Sequence, residues 1–216
     1  MSDIVRYYAC RADEYEEIYR KPKRQADLHT LHGMIADSFR GQDVLEIACG
    51  TGYWTTTIVS TARSILATDL NEEMLAIASR KPYPADVVRF LRTDAYNLYE
   101  VCGSFSAALA AFWWSHIPKA QLRDFLINSH KKLRPGSLVV FIDNVYAEGS
   151  SSPMADRVDQ DGNTYGRRRL SDGTEWEILK NFPSEEEIRL SLDGLAEDLC
   201  YIPLTYYWWL SYRTKV

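Results

Sequence analysis

The stretch VLEIACGTGYW, from Val44 to Trp54, decides the fold of this chain. Its apolar residues predict a buried strand near 43–47, after which Gly50 and Gly52 let the backbone turn tightly against a ligand. The helix that follows presents free N–H groups to that ligand. The turn therefore predicts a nucleotide-cofactor site. It lacks the third glycine of a dinucleotide-binding turn, because Thr55 stands there, and this disfavours NAD.

Carboxylates at three strands indicate the chemistry of the ligand. Glu46, inside the first strand, would repel phosphate groups and suits a cationic or ammonium-bearing ligand. A second strand is predicted to end at Asp69, whose carboxylate can bind ribose hydroxyls. A third is predicted to end at Asp94. S-adenosylmethionine fits this pattern of charge.

These three segments, in this order, resemble the motifs of the class I S-adenosylmethionine-dependent methyltransferases, and the resemblance covers nearly the whole chain. It implies that S-adenosylmethionine is the cofactor and that Asp94 matches the residue that hydrogen-bonds the adenine amino group. Ala48 stands where the family often has glycine. The cofactor-binding residues implied are Tyr15, Glu46, Ala48, Gly50, Gly52, Tyr53, Trp54, Asp69, Leu70, Met74, Asp94, Ala95 and Phe112.

The rest of the chain alternates between strand and helix patterns, which predicts an α/β fold with a doubly wound, mostly parallel, seven-stranded Rossmann-like sheet. Strands are predicted near 43–47, 64–69, 86–92, 105–111 and 137–143, and helices near 4–19, 23–39, 119–133 and 184–195. A hairpin and two terminal strands complete the pattern. We expect a single domain over 1–216, with a helical lid (1–40), a cofactor-binding core (41–145), a substrate loop and hairpin (146–182) and a C-terminal helix and strands (183–216).

Composition narrows the class of protein. The 216 residues are 46% hydrophobic, enough for a core without disulfides or metal ions, and no metal site is predicted. The four cysteines are scattered, which indicates reduced thiols and a cytoplasmic protein. The net charge of −5, with both signs interspersed, disfavours nucleic acid, and the short apolar runs disfavour a membrane. A small-molecule substrate is expected, and the oligomeric state stays open.

The segment after the fourth strand, AFWWSHIPKAQL, should lie at the carboxyl edge of the sheet, where ligands bind. It offers Trp113, Trp114 and His116 as substrate contacts. His116 is the candidate catalytic residue, as a general base or an orienting group, because imidazole titrates near neutral pH. An equally good interpretation is a histidine that only hydrogen-bonds a loop. Asp143 and Asn144 on the same rim are weaker candidates.

The segment from Thr164 to Phe182 predicts a hairpin around the three-residue loop Ser171 to Gly173. This register pairs opposite charges across the strands, Arg169 with Glu175 and Arg167 with Glu177. The other face then carries Trp176, Ile178, Arg168 and Lys180.

Two cations on an apolar face need an anionic partner. For Arg168 and Lys180 that partner is a carboxylate, phosphonate or phosphate of the substrate, or else an internal Asp or Glu; alternatively, their heads reach solvent.

A closer resemblance involves Tyr7-Tyr8, Arg11, Tyr15, the GTGYWT turn, the WWSHIP segment and the R-R-x-L-x-D-G hairpin. Together they resemble the small-molecule phosphonate O-methyltransferases of the kind found in dehydrophos biosynthesis. This implies that Arg168 and Lys180 bind an anion, that His116 lies in the pocket and that the N-terminal helix is a lid. The substrate-binding candidates are Tyr7, Tyr8, Arg11, Tyr19, Trp113, Trp114, His116, Arg168, Trp176 and Lys180.

Two further segments of the sequence bear on the substrate site. Ile4, Tyr8, Ala12, Tyr15 and Tyr19 form a stripe at helical spacing, which fits simple packing as well as a lid. The segment 146–164, rich in Ser, Gly and Asp, is expected to be a mobile substrate loop.

The expected function is transfer of a methyl group from S-adenosylmethionine to a small anionic metabolite, at oxygen. An alternative is an N-methyltransferase that holds an amine against Trp113, Trp114 and Trp176 by cation–π contact. Another is an S-adenosylmethionine-binding protein without catalysis.

Overall fold

The computed structural model describes residues 3–84 and 86–215. Its helices are α1 (Asp3–Arg11), α2 (Gln25–Ser38), α3 (Thr55–Ile58), α4 (Glu72–Ala78), α5 (Lys119–His130) and α6 (Glu185–Ser191), and 3₁₀ helices cover Ala12–Arg20, Pro22–Arg24 and Trp114–His116. The strands are β1 (Asp43–Ile47), β2 (Ser64–Asp69), β3 (Val88–Arg92), β4 (Phe105–Ala111), β5 (Leu133–Asn144), β6 (Met154–Val158), β7 (Thr164–Arg169), β8 (Glu175–Leu179), β9 (Ala196–Pro203) and β10 (Tyr207–Thr214).

Seven strands form the main sheet in the order β3-β2-β1-β4-β5-β10-β9. The first five run parallel, and β10 is antiparallel to both of its neighbours. The order reverses between β1 and β4, so the carboxyl ends of these strands flank the crevice where such sheets bind ligands. The predicted doubly wound α/β sheet is confirmed.

Apolar residues cover both faces of this sheet. On one face, Leu45 and Phe141 pack with Phe125 of α5 and Ile188 of α6. On the other, Val44 packs with residues of α2 and α3. The alternation of buried residues along β1 therefore anchors the glycine-rich turn to a rigid core. Within the described ranges, no helix is long and apolar enough to cross a membrane.

A second sheet of three antiparallel strands, β6-β7-β8, stands beside the main one. Its register places Arg169 opposite Glu175 and Arg167 opposite Glu177, as predicted from the loop. Gly173 has a φ of +89°, and the N–H of Leu170 donates to the carbonyl of Thr174, which closes the three-residue loop. The segment 146–164 was expected to be a loop, but it contains β6 because Met154 pairs with Gly166.

Several helix boundaries differ from the predictions. The predicted helix over 4–19 is α1 followed by a nine-residue 3₁₀ helix, within which Glu16 is held by Thr51 and Lys81 of the core. Pro22 starts a separate 3₁₀ turn, so α2 begins later than expected. Helix α5 ends before Leu133, which already pairs with Phe105. A capping box at Ser184 starts α6, which ends early, at Ser191.

Candidate active site

A cavity of about 360 Å³ lies at the carboxyl ends of the parallel strands, beside the turn after β1. We call it the cofactor cavity. It is lined by nine of the predicted cofactor-binding residues: Tyr15, Ala48, Gly50, Asp69, Leu70, Met74, Asp94, Ala95 and Phe112. The structure thus gathers most of the sequence candidates in one concave space.

The glycine-rich turn has a strained backbone that its sequence explains. Gly50 (φ +57°) and Gly52 (φ +73°) are in the left-handed region, and Ala48 (φ +54°) adopts it without being glycine. A Cβ on Gly52 would lie 2.7 Å from the hydroxyl of Tyr83 and 3.1 Å from Cβ of Ala78. Gly52 therefore lets the turn pack on the end of α4, whereas Gly50 lines the cavity.

Asp69 joins the end of β2 to this turn. Its Oδ2 accepts the N–H of Gly50 at 2.9 Å, and its Oδ1 accepts the N–H of Asn71 at 2.8 Å. Burial raises the pKa of Asp69, while these backbone donors oppose the rise. Asp69 also lines the cavity, where the remaining lone pairs of its carboxylate can accept hydrogen bonds from ribose hydroxyls. Asp94 is fixed in a similar way, since its Oδ1 accepts the N–H of Tyr96 at 2.9 Å.

Four of the predicted cofactor residues do not line the cavity: Glu46, Gly52, Tyr53 and Trp54. Glu46 is buried and accepts a hydrogen bond from Thr55 Oγ1 at 2.6 Å, so it ties β1 to α3. Burial raises its pKa to about 8, despite the opposing hydrogen bond. The ring of Tyr53 stacks on Tyr19 at 3.6 Å, and Trp54 is buried. In the structure these four lie outside the lining of the cavity, and Glu46, Tyr53 and Trp54 contact other residues of the protein.

A second pocket, of about 110 Å³, adjoins the cofactor cavity and shares Tyr8, Tyr15, Phe112 and His116 with it. We call it the cationic pocket. It is lined by six of the predicted substrate residues, Tyr8, Arg11, Tyr19, His116, Arg168 and Lys180, and also by Lys21 and Arg24. Residues from both ends of the chain thus meet beside the cofactor cavity.

The other predicted substrate residues lie elsewhere. Trp113 lines the cofactor cavity, whereas Trp114 is buried against Phe141 and Trp208. Tyr7 and Trp176, whose rings are 6.1 Å apart, line an outer cleft. Trp113, Trp114 and Trp176 therefore do not form a common wall, so the aromatic cage of the N-methyltransferase alternative is absent from the described residues.

Lys180 has an internal partner, which was one of the three interpretations of the hairpin. Its ammonium lies 3.0 Å from Oδ1 of the fully buried Asp143 and also contacts Ser115 Oγ. Burial alone would raise the pKa of Asp143, but Lys180 and the N–H groups of Ser115 and Asn144 hold it below its ordinary value. Lys180 therefore lines the pocket as one half of an ion pair.

His116 is held at both ring nitrogens. Nδ1 lies 2.7 Å from the carbonyl oxygen of Leu179, which only accepts, so Nδ1 carries the proton. Nε2 then accepts the hydroxyl of Tyr8 at 2.8 Å. Burial, reinforced by the Lys180 ammonium, lowers the pKa of His116 to about 3. The imidazole is therefore neutral near pH 7, and it joins the hairpin to α1.

Arg24 and Lys21 are pocket residues that sequence reasoning missed. Lys21 Nζ donates to the carbonyl of Ser150 at 2.9 Å, and Arg24 donates to Ser150 Oγ at 3.1 Å and to Asn144 Oδ1 at 3.0 Å. The basic run KPKR between the first two helical segments was visible in the sequence. Its position opposite the hairpin depends on contacts across more than 100 residues.

The strand order and the cofactor cavity define the fold of the class I S-adenosylmethionine-dependent methyltransferases. A family model described as a methyltransferase domain matches residues 44–136. The chain has the fold of this class, and its cofactor cavity fits S-adenosylmethionine.

Solved structures with similar architecture include two complexes of DhpI, one with SAH and one with SAM and HEP. They share 28% sequence identity with this chain, with TM-scores of 0.78 and 0.79. Each comparison covers 98% of this chain, and 95% and 96% of the respective DhpI chains.

Among curated proteins, a malonyl-[acyl-carrier protein] O-methyltransferase of Pectobacterium atrosepticum is 33% identical over 121 residues, 53% of this chain and 43% of that protein. A demethylmenaquinone methyltransferase of Staphylococcus aureus is 26% identical over 110 residues, 48% of this chain and 44% of that protein. The matched region thus spans less than half the length of these curated relatives.

Proposed function

We propose that the chain transfers a methyl group from S-adenosylmethionine to an oxygen of a small anionic metabolite. The observation that carries this proposal is the cationic pocket, which adjoins the cofactor cavity at Tyr8, Tyr15, Phe112 and His116. Among the residues described, no carboxylate lies within 4.0 Å of Arg11 or Arg168, although both line the pocket. An acid bound there would supply the missing negative charge.

The similar proteins also support methylation at oxygen. DhpI has been solved with SAM and HEP together, and the relative from Pectobacterium is described as an O-methyltransferase. The arginine-lined pocket supports extension of oxygen methylation to this chain, and the dispersed tryptophans disfavour an amine acceptor.

The residues of the cofactor cavity fit S-adenosylmethionine. Asp69 offers carboxylate acceptors for the ribose hydroxyls, and Leu70, Met74 and Phe112 offer apolar contacts. Trp113 Nε1 is a buried donor with no partner among the described residues, and this indole lines the cavity wall. When bound, S-adenosylmethionine supplies an electrophilic methyl group on its sulfonium.

The protein's own contribution is binding and orientation. Arg168 and Arg11 hold the acid, and the Lys180–Asp143 pair fixes the wall beside them. An ionised oxygen needs no base, and His116, whose pKa is lowered to about 3, accepts the hydroxyl of Tyr8 and so holds this side chain in place. Orientation of this kind contributes much of the rate in a displacement reaction.

The N-terminal segment acts as a lid in this proposal. Glu16 accepts hydrogen bonds from Thr51 of the glycine-rich turn at 2.7 Å and from Lys81 at 2.6 Å. Tyr8 and Tyr15 of the same segment line both pockets, where they exclude water from the reacting groups.

Calorimetric titration tests the proposal. We expect the protein to bind S-adenosylhomocysteine, then to give a second heat with small carboxylates or phosphonates but not with amines, and to methylate at least one acid at oxygen. NAD is the control ligand. Cofactor binding without any methylated product would identify a non-catalytic binding protein, and a preference for amines would overturn the anionic substrate.

A further inference from the structure

Arg24 occupies an unusual position for a charged residue. It ends the 3₁₀ turn before α2, it is only 6% exposed, and its guanidinium lines the cationic pocket. The guanidinium carbon lies 5.2 Å and 5.3 Å from the ring centroids of Tyr206 and Tyr207. The side chain is therefore fixed on one side by aromatic rings and faces the pocket on another.

The hydrogen bonds of Arg24 do not neutralise its charge. Both go to neutral oxygens, Ser150 Oγ and Asn144 Oδ1. Asp27, the acid on the next helical turn, instead accepts the backbone N–H of Tyr206 at 2.7 Å. Over 3–84 and 86–215, no carboxylate oxygen lies within 4.0 Å of the guanidinium. A buried cation without a counter-ion is costly, and cation–π contacts recover only part of that cost.

The cationic pocket as a whole has more positive than negative side chains. Asp143 balances Lys180, but no described acid pairs with Arg11, Arg24 or Arg168. Burial lowers the pKa of the Lys180 ammonium, the carboxylate of Asp143 opposes this, and the positive charges of Arg168 and Arg24 lower it further. S-adenosylmethionine, with a sulfonium, an ammonium and one carboxylate, adds another net positive charge next to them.

We propose that Arg24 is a substrate-binding residue that selects acceptors with a doubly ionised acid group, which it binds together with Arg168. The inference rests on the proposed function, because it concerns the acceptor of the same reaction. Two negative charges on one group match this surplus of positive charge better than a single charge does. The Nη2 group of Arg24, which neither Ser150 nor Asn144 uses, can donate to one oxygen of the acid group while the guanidinium of Arg168 donates to another.

A matched pair of probes tests this inference. Methylphosphonate and methanesulfonate have the same shape, but only methylphosphonate becomes a dianion. With the protein saturated with S-adenosylhomocysteine, we expect wild type to bind methylphosphonate more tightly as the pH rises through its second ionisation, while methanesulfonate binding stays constant. Arg24→Gln should lower the preference for methylphosphonate by about tenfold or more.

Arg20→Gln is the control, because it removes the same charge from an exposed position on the same segment. It should leave the preference unchanged. An unchanged preference in Arg24→Gln, with S-adenosylhomocysteine binding intact, would overturn the role of Arg24 while leaving the proposed function in place. If the wild-type protein bound neither methylphosphonate nor methanesulfonate, the proposed anionic substrate would instead be overturned.

A purely structural role for Arg24 would have a different signature. It would lower thermal stability and weaken both probes equally, because the loop at Ser150 would lose its anchor. If Arg24→Gln does not fold, Arg24→Lys keeps the charge and should retain the preference for the dianion with weaker binding overall. In wild type alone, binding of methylphosphonate that does not tighten with its second ionisation would also contradict the inference.

Discussion

The cofactor cavity and the cationic pocket adjoin each other, yet they are built in different ways. Most of the cofactor cavity comes from consecutive strand ends, at 48–50, 69–74, 93–96 and 111–113. The cationic pocket combines residues from 8–24, 112–116, 144–152, 168–182 and 207. One site follows from the local order of motifs, and the other exists only once the whole chain has folded.

The largest predicted effect concerns the ion pair at the base of the cationic pocket. Lys180→Met leaves the carboxylate of Asp143 buried and unpaired, so the free energy of unfolding should fall by about 3–5 kcal/mol. Urea denaturation measures the change. Lys180→Met combined with Asp143→Leu removes both charges and should recover most of the loss. If the single variant were as stable as wild type, the pair would not support the pocket as described.

In the cofactor cavity, substitution of Asp69 should lower the affinity for the cofactor product. Asp69→Ala removes the acceptor for the N–H groups of Gly50 and Asn71 as well as the proposed ribose contacts. Affinity for S-adenosylhomocysteine should fall by about 10- to 100-fold, because hydrogen bonds to a charged group contribute about 1.5–3 kcal/mol each. Calorimetry measures the affinity, and Glu72→Ala, an exposed acid nearby, is the control. Equal affinities in wild type and Asp69→Ala would contradict the role of Asp69.

The cofactor cavity could be predicted from the sequence more completely than the cationic pocket. The order of strands and the positions of Gly50 and Asp69 followed from periodicity and turn chemistry, since each is encoded within about ten residues. Glu46 lies outside the cavity lining, and strand alternation alone does not show that its carboxylate accepts a hydrogen bond from Thr55. Arg24 was missed because its partner Ser150 is 126 positions away.

The hairpin shows a mixed outcome for the same reason. Its register follows from the loop Ser171 to Gly173 and is correct in every pair predicted. That Lys180 meets Asp143 depends on how β8 docks near β5, which no local pattern encodes. The change from α-helix to 3₁₀ helix at Ala12 likewise follows from tertiary contacts of Glu16.

A smaller and more selective effect is expected from Arg168. Arg168→Gln should weaken binding of methylphosphonate by about tenfold while leaving affinity for S-adenosylhomocysteine unchanged. Calorimetry with the two ligands gives both values, and Arg167→Gln on the exposed face of the same strand is the control. Parallel losses for both ligands would show that the two sites are not separable.

Gly166→Ala sharpens this test without touching any charge. A Cβ at this position would lie 2.6 Å from Nη1 of Arg168, so the guanidinium must move while the strand keeps its backbone. We expect anion affinity to fall, but by less than in Arg168→Gln, because the charge stays near the pocket. Wild-type anion affinity in this variant would show that the position of Arg168 matters less than its charge.

The smallest expected effect is the response of the pocket to pH through His116. The pKa of this imidazole is lowered from 6.5 to about 3, so it stays neutral in the folded protein over the neutral range. Binding of methanesulfonate should therefore be flat between about pH 5.5 and 8. If His116 kept an ordinary pKa, it would become cationic below about pH 6.5 and binding of the anion would tighten there.

The free energy of unfolding, in contrast, should depend on pH through His116. Below about pH 6.5 the unfolded chain binds a proton at His116, whereas the folded chain does not. Because of this group, the free energy of unfolding should decrease by up to about 1.4 kcal/mol for each unit by which the pH is lowered. His116→Gln should reduce that slope. His130, whose pKa burial lowers to about 4 but which lies outside both pockets, is the matched control: His130→Gln should also reduce the slope. Only His116→Gln frees the hydroxyl of Tyr8, and it alone should alter anion binding.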